Sequence, residues 1–218
     1  QSGQPVGQRR DWRQPMVSRS GERSVRLYVE GGGDSNRLRS RCREGFRAFL
    51  ERAGFKGRMP RIVACGGRQF AYDRFRTACL AGEEGAMLLL DSEDRVSVSS
   101  PWEHLRKEFQ MSRGFGDARC HLMVVCMESW FLADREALSR FFGQGFNDGA
   151  LPKRSDIEEI SKDEVYRCLQ NASVDCKTKA PYGKGEHSFL ILKIVDPRKV
   201  AASSPWAARF LKTLDLFL

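Results

Sequence analysis

Three apolar runs in this chain end in acid. Val25-Arg26-Leu27-Tyr28-Val29 leads into Glu30, followed by Gly31-Gly32-Gly33-Asp34. Ala86-Met87-Leu88-Leu89-Leu90 leads into Asp91-Ser92-Glu93-Asp94. His121-Leu122-Met123-Val124-Val125-Cys126-Met127 leads into Glu128. In a parallel α/β sheet, functional groups gather at the carboxyl ends of the strands. Carboxylates brought together there repel, by roughly 4 kcal/mol for two charges about 4 Å apart at an effective dielectric of about 20. A divalent cation offsets that cost. Mg²⁺ in particular is held by one or two carboxylates together with substrate phosphates.

Each acidic motif has a second reading. Glycines 31–33 let the backbone turn sharply and a phosphate or metal approach closely. A dinucleotide-binding GxGxxG would need glycine where Glu30 stands, and Glu30 would repel phosphate unless a cation intervened. The alternative is a plain turn with Asp34 as a helix cap. In an extended segment Asp91 and Glu93 point the same way and could grip one ion; a solvated acidic turn is the other possibility, and Asp94 competes with Glu93 for the second ligand position. Glu128 has apolar neighbours on both sides, where a charge is seldom left unpaired. Asp134, six residues on, does not share a helix face well with Glu128, so it is a candidate site residue or else a cap or salt-bridge partner. His104 and His121 read as structural.

The elements that must position these groups follow from pattern. Strands are expected at 25–30, 61–65, 87–90 and 122–127. Helices are expected from Ser35-Asn36 to about Ala53 with Phe46, Phe49 and Leu50 inward, and over 69–81 with Phe70, Phe75, Cys79 and Leu80 inward. Others start at Pro101 and span Trp130 to Phe142. Alternating β and α elements argue for a mostly parallel sheet flanked by helices. The remainder reads as a Gly-rich loop over 143–153, a helix over Asp156–Leu169, a polar loop over Lys177–His187, an apolar segment over Phe189–Val195 and a last helix from Ser204-Pro205. The expected organisation is a flexible basic tail over 1–24, a catalytic α/β domain over 25–142, and a mainly helical extension over 143–218 on the same core.

Composition sets the outer bounds. A chain of 218 residues, 41% of them hydrophobic, is long enough for one α/β domain with a real core. No run approaches the roughly 18 apolar residues of a membrane span, so no membrane partner is expected and the expected compartment is the cytoplasm. The seven cysteines form no CxxC pair and read as reduced core residues. A net charge of +9 favours polyanionic partners, nucleic acid first among them.

The EGxxD-like turn after the first strand, with the acidic pair after a later apolar strand, resembles the Toprim catalytic domain of topoisomerases, bacterial primases and OLD-type nucleases. Further pieces are Met127-Glu128-Ser129-Trp130-Phe131-Leu132-Ala133-Asp134, Tyr182-Gly183-Lys184-Gly185-Glu186-His187, Asp196-Pro197-Arg198-Lys199-Val200, Ser204-Pro205 and Arg209-Phe210. They resemble an uncharacterised bacterial Toprim-like family often encoded beside an AAA- or ABC-type ATPase in phage-defence loci. The resemblance spans roughly residues 25–215. It implies Mg²⁺ or Mn²⁺ held by Glu30 and Asp91, assisted by Asp34 and Glu93, and phosphodiester hydrolysis; Glu128 is a further candidate to complete the metal shell. The Toprim pair is usually Asp-x-Asp; here its second acid is Glu93, which bears on whether one or two ions bind. Lys184, in a loop mixing basic and aromatic groups, is the candidate to stabilise the pentavalent phosphate, and His187 is a candidate proton donor or phosphate contact beside a structural role. The other readings are a non-catalytic metal-containing binding or sensor subunit of an ATPase complex, and a phosphatase or nucleotidyl transferase.

Overall fold

The computed structural model describes residues 24–111 and 114–218. The tail expected over residues 1–24 lies, apart from Ser24, outside them. Strands β1 (Arg26–Val29), β2 (Arg61–Ala64), β3 (Ala86–Asp91) and β4 (Cys120–Met123) form one all-parallel sheet in the order β2-β1-β3-β4. All six residues of β3 are buried, as expected for a parallel strand covered on both faces.

The order places β1 between β2 and β3. The chain leaves β1 toward one edge of the sheet and leaves β3 toward the other, so the two exits diverge. A crevice opens between their carboxyl ends, where α/β folds carry their ligands. The ladder runs on past the strands at this end: Glu30 N–H donates to Leu89 O (3.0 Å), and Ser92 N–H to Met123 O (3.1 Å).

Helix α1 (Asn36–Leu50) follows β1, capped by Ser35, which accepts the Leu38 N–H. Helix α2 (Arg68–Leu80) follows β2, and α3 (Pro101–Phe109), capped by Ser100, follows β3. Right-handed crossovers put α1 and α2 on opposite faces of the sheet, and each carries an aromatic cluster. Phe75 of α2 meets Tyr28 and Trp102, with ring centroids 6.4 and 6.0 Å apart. On α1, Phe49 stacks on Trp130 at 5.1 Å, while Phe46 meets the same indole edge-on at 6.5 Å.

Beyond residue 134 come α4 (Arg135–Phe142), α5 (Lys162–Ser173), α6 (Lys184–Leu192), α7 (Pro197–Ser203) and α8 (Pro205–Phe217). Helix α6 lies so close on α1 that a Cβ at Gly45 would sit 3.0 Å from Phe189 O. Arg209 of α8 donates to Cys120 O on β4 at 2.9 Å. Buried side chains from Val25 to Leu214 form one continuous core. Every cysteine is free, with Cys42, Cys65, Cys120, Cys126 and Cys168 buried. No described helix is long and apolar enough to cross a membrane.

Several expectations change. Phe70 and Leu80 are 63% and 70% exposed, because α2 turns Ala71, Tyr72, Phe75 and Ala78 inward instead. The expected 130–142 helix is broken. A 3₁₀ segment over Met127–Ala133 ends at Asp134, whose side chain caps α4 by accepting the Ala137 N–H. The 156–169 helix divides likewise into a 3₁₀ turn, Ile157–Glu159, and α5, capped by Ser161. The segment read as a loop to His187 and an apolar stretch from Phe189 contains α6, so Lys184 opens a helix.

Phe49 is fully buried against Trp130. Phe49→Ala is expected to cost about 3–5 kcal/mol, read as a lower urea midpoint at unchanged slope.

Candidate metal centre

Glu30 and Asp91 meet because β1 and β3 are neighbours in register, Val29 opposite Leu89. The Asp91 N–H donates to Glu30 Oε2 at 3.2 Å, and Asp91 Oδ1 accepts the Met127 N–H at 2.9 Å. Glu93 joins them: one carboxylate oxygen from each of the three lies within 4.8 Å of the others. The segment is not extended, since Glu93 adopts a left-handed backbone (φ 68) with its N–H on Val125 O at 2.8 Å. That bend, rather than strand alternation, brings Glu93 back to the pair.

Glu30 and Asp91 line a cavity of about 520 Å³. Its floor is two glycine turns packed together. Gly31 and Gly66 exchange backbone hydrogen bonds of 2.7 and 2.8 Å. Gly66 has φ +81, and a Cβ there would stand 2.8 Å from Gly33 O; a Cβ on Gly32 (φ +88) would stand 2.8 Å from the Arg39 backbone. Only glycine allows this approach.

Basic groups enter from helices. Arg68, the first residue of α2, donates to Glu93 Oε1 at 2.6 Å, and its guanidinium lies 3.8 Å over the Phe109 ring. Its Nε is 3.4 Å from Glu30 Oε2 but out of line for a hydrogen bond. Lys162, opening α5, donates to Glu93 Oε2. Lys184 lines the cavity at the start of α6, its Nζ 5.3 Å from the centre of the Tyr166 ring. Helices α1, α3, α4, α5, α7 and α8 each begin at a Ser or Asp whose side chain accepts a first-turn N–H. Helices α2 and α6 begin at Gly67 and Gly183, with no side-chain acceptor, and Gly67, Lys184 and Gly185 all line the cavity.

The charges set the titration. Burial pushes the Glu30 carboxyl above its ordinary range against the pull of Arg68. Asp91 is held well above, first by burial and then by the charges of Glu30 and Glu128. Burial also works upward on Glu93, but Lys162 and Arg68 outweigh it and hold this carboxyl below the usual value.

The remaining sequence candidates stand apart from the trio. Asp34 is exposed at the cavity rim. Glu128 lines the cavity, fully buried, but its oxygens accept hydroxyls from Tyr166 (3.2 Å), Ser188 (2.9 Å) and Tyr182 (3.4 Å). Asp94 accepts its neighbour's Arg95 N–H. Asp134 caps α4 and pairs with Lys199 at 2.8 Å, away from the trio. His187 is buried between Phe141 and Phe142, and its Nδ1 accepts the Gly183 N–H at 3.1 Å; it shapes the start of α6 instead of facing the cavity. His104 and His121 bond to backbone carbonyls. A larger cleft of about 760 Å³ lies elsewhere, beside Glu136 and Lys199. Of its charges, Arg135 pairs with Asp148 and Lys199 with Glu136.

Arg68, Lys162, Tyr166 and Ser188 escape sequence reasoning, because a basic or hydroxyl residue on a helix carries no pattern of its own. The glycine at a helix start, where Ser or Asp stands elsewhere, is the one signal that could have marked Arg68.

A family model described as a domain of unknown function (DUF4276) matches residues 29–215, from the end of β1 nearly to the end of α8. The chain belongs to this family. Every group of the acidic centre falls within the match. No curated protein and no solved structure matches the chain.

The donor set fits a hard divalent cation. Among the described residues, Glu30 Oε1 and Asp91 Oδ2 take no hydrogen bond, while their partner oxygens are fixed by backbone N–H groups. Glu93 fits as a third ligand if it leaves its basic partners. In the metal-free protein Asp91 keeps its proton to higher pH than in the unfolded chain, so the folded state binds more protons across that window. Stability therefore falls as pH rises from the ordinary aspartate range through the raised value. Asp91→Asn, which keeps the acceptor for Met127, is expected to stabilise the metal-free protein by about 1–2 kcal/mol at neutral pH and by less at acid pH. Thermal melts in chelator at several pH values check this.

Proposed function

We propose that this chain is a nuclease dependent on Mg²⁺ or Mn²⁺, hydrolysing phosphodiester bonds in nucleic acid. The observation that supports it is the convergence of three carboxylates within 4.8 Å beside a cavity walled by Lys184 and two helix starts without side-chain caps. Carboxylates alone would suit a cation, and basic helix starts alone would suit an anion. Both in one cavity suit a cation and a phosphate together.

Glu30 and Asp91 would hold the ion, with Glu93 as the exchangeable ligand. When bound, a divalent cation supplies Lewis acidity and positive charge for in-line displacement at phosphorus. The chain's own residues orient the rest. Lys184, resting on the Tyr166 ring, presents a fixed positive charge where a phosphate develops negative charge. Lys184 and Gly185, at the start of α6, line the same cavity. Glu128 holds the hydroxyls of Tyr166, Tyr182 and Ser188, and so fixes the platform under Lys184. The Toprim resemblance adds the biological setting: an effector of antiphage defence, in the cytoplasm, under an AAA- or ABC-type ATPase partner.

A second reading has one observation in its favour. Arg68 and Lys162 already neutralise Glu93, which suits a binding or sensor subunit that holds the acidic centre without turnover. A cleavage assay on DNA, RNA and tRNA with Mg²⁺ or Mn²⁺, with and without the neighbouring ATPase, separates the two. Glu30→Gln and Asp91→Asn are expected to lower the rate at least about 100-fold, in the range lost with one preorganised charge-stabilising group, and Lys184→Ala by about 10–100-fold. Retention of full Mn²⁺-dependent cleavage by Glu30→Gln would sink the assignment; binding without cleavage under every condition favours the sensor.

A further inference from the structure

Within the trio, Glu93 is the carboxylate that is already taken. Its left-handed backbone turns the side chain toward α2 and α5, where Arg68 holds one oxygen at 2.6 Å and Lys162 the other. Arg68 also leans on Glu30, its buried Nε 3.4 Å from Oε2 without hydrogen-bond alignment. Asp91, only 7% exposed, lines the cavity with Oδ2 free of partners among the described residues. The guanidinium therefore sits where a cation is needed and is incompletely satisfied there. A divalent ion at Glu30 and Asp91 would compete for the same Glu93 oxygens, and Glu93 cannot serve both.

We infer that Arg68 and Lys162 are exchangeable counter-ions that bind substrate phosphate once metal has taken Glu93 from them. The inference rests on the nuclease reading and gives that site its regulation. A guanidinium matches phosphate through two parallel N–H donors. Arg68 stays on its Phe109 face during the exchange and needs only a change of partner. It opens α2, whose Gly67 start lies in the cavity wall with no side-chain acceptor for the first turn. A phosphate held by Arg68 at this end also gains from the helix dipole. Without metal, both basic groups are occupied internally and the cavity presents bare carboxylate to a polyanion. Metal and nucleic acid thus bind cooperatively, and by linkage each raises the affinity of the other.

Two titrations test this on the full chain, as wild type, Glu93→Gln, Arg68→Gln and the double variant. Glu93→Gly, which suits a left-handed backbone, replaces Glu93→Gln if that variant folds poorly, and Lys162→Gln likewise replaces Arg68→Gln. The first follows anisotropy of a labelled single-stranded oligonucleotide in EDTA. Glu93→Gln is expected to bind about tenfold tighter than wild type, the worth of one charge-assisted hydrogen bond; the double variant, which frees only Lys162, is expected to lose most of that gain, and Glu93→Gln with the exposed Lys212→Gln, of the same net charge, to keep it. The second is calorimetry with Mn²⁺ alone. Arg68→Gln is expected to tighten Mn²⁺ binding severalfold with Glu93 present and by clearly less in the Glu93→Gln background, where only its charge beside Glu30 is lost. Equal loss of the gain when Lys212→Gln replaces Arg68→Gln is a general charge effect and overturns the exchange, as does a full gain in the double variant, no oligonucleotide binding by Glu93→Gln, or an Arg68→Gln effect on Mn²⁺ equal in both backgrounds. A wild-type chain that passes both titrations yet never cleaves sinks the nuclease reading and leaves the exchange standing.

Discussion

Two carboxylates stand side by side at the ends of adjacent parallel strands, and the architecture around them works against their repulsion. Glu30 and Asp91 share the β1–β3 register, and each fixes one oxygen with a backbone N–H. Those bonds orient the carboxylates but cancel little charge. Burying an ion without its partner is among the costliest defects a fold can carry, with removal of one partner of a buried pair costing about 3–5 kcal/mol. Three helices bring a basic residue to this place in response: Arg68 from α2, Lys162 from α5 and Lys184 from α6. Each is the first residue of its helix, so the helix dipole adds to the side-chain charge at the acidic centre.

Backbone geometry makes that convergence possible. Glycine at 31–33 and 66 lets the two loops touch and form a floor with no side chains in the way. Glycine at 67 and 183 starts α2 and α6 without a side chain competing for their first N–H groups. The other six helices begin at Ser or Asp, whose side chains close the first turn. Asp134 is one of these caps: an acidic residue in a suggestive motif turns out to close α4 and bind Lys199.

The sheet was legible because its signals are local and strong. Apolar runs ending in acid or glycine mark β1 and β3, and the parallel order follows from alternating elements. Glu30 and Asp91 were legible for the same reason, as strand-end acids. Glu93 was reached by an incorrect route: alternation placed it beside Asp91, whereas a left-handed residue brings it there. Helix α6 was missed because its first turn reads Lys184-Gly185-Glu186, polar and glycine-containing, and its helicity depends on packing against α1. Arg68 and Lys162 lie 23 and 71 residues from Asp91, and no short-range pattern links such positions to a shared pocket. Phe70 reads as core by composition and is exposed because α2's inward face begins one residue later.

The helices beyond residue 143 are part of the centre, not an accessory to the sheet. Helix α5 supplies Lys162 to Glu93 and, one turn on, Tyr166 to both Glu128 and Lys184. Helix α6 supplies Lys184 and, four residues later, Ser188 to Glu128. Glu128 itself comes from the segment just after β4. A buried carboxylate held by a hydroxyl cluster is a rigid joint, since losing one donor leaves an acceptor short of its partner. That joint ties the sheet to α5 and α6 and fixes the distance between the acidic trio and its basic wall. Residues 25–142 alone would carry the three carboxylates with only Arg68 to oppose them. Completing the charge balance needs the C-terminal helices, which supply Lys162 and Lys184.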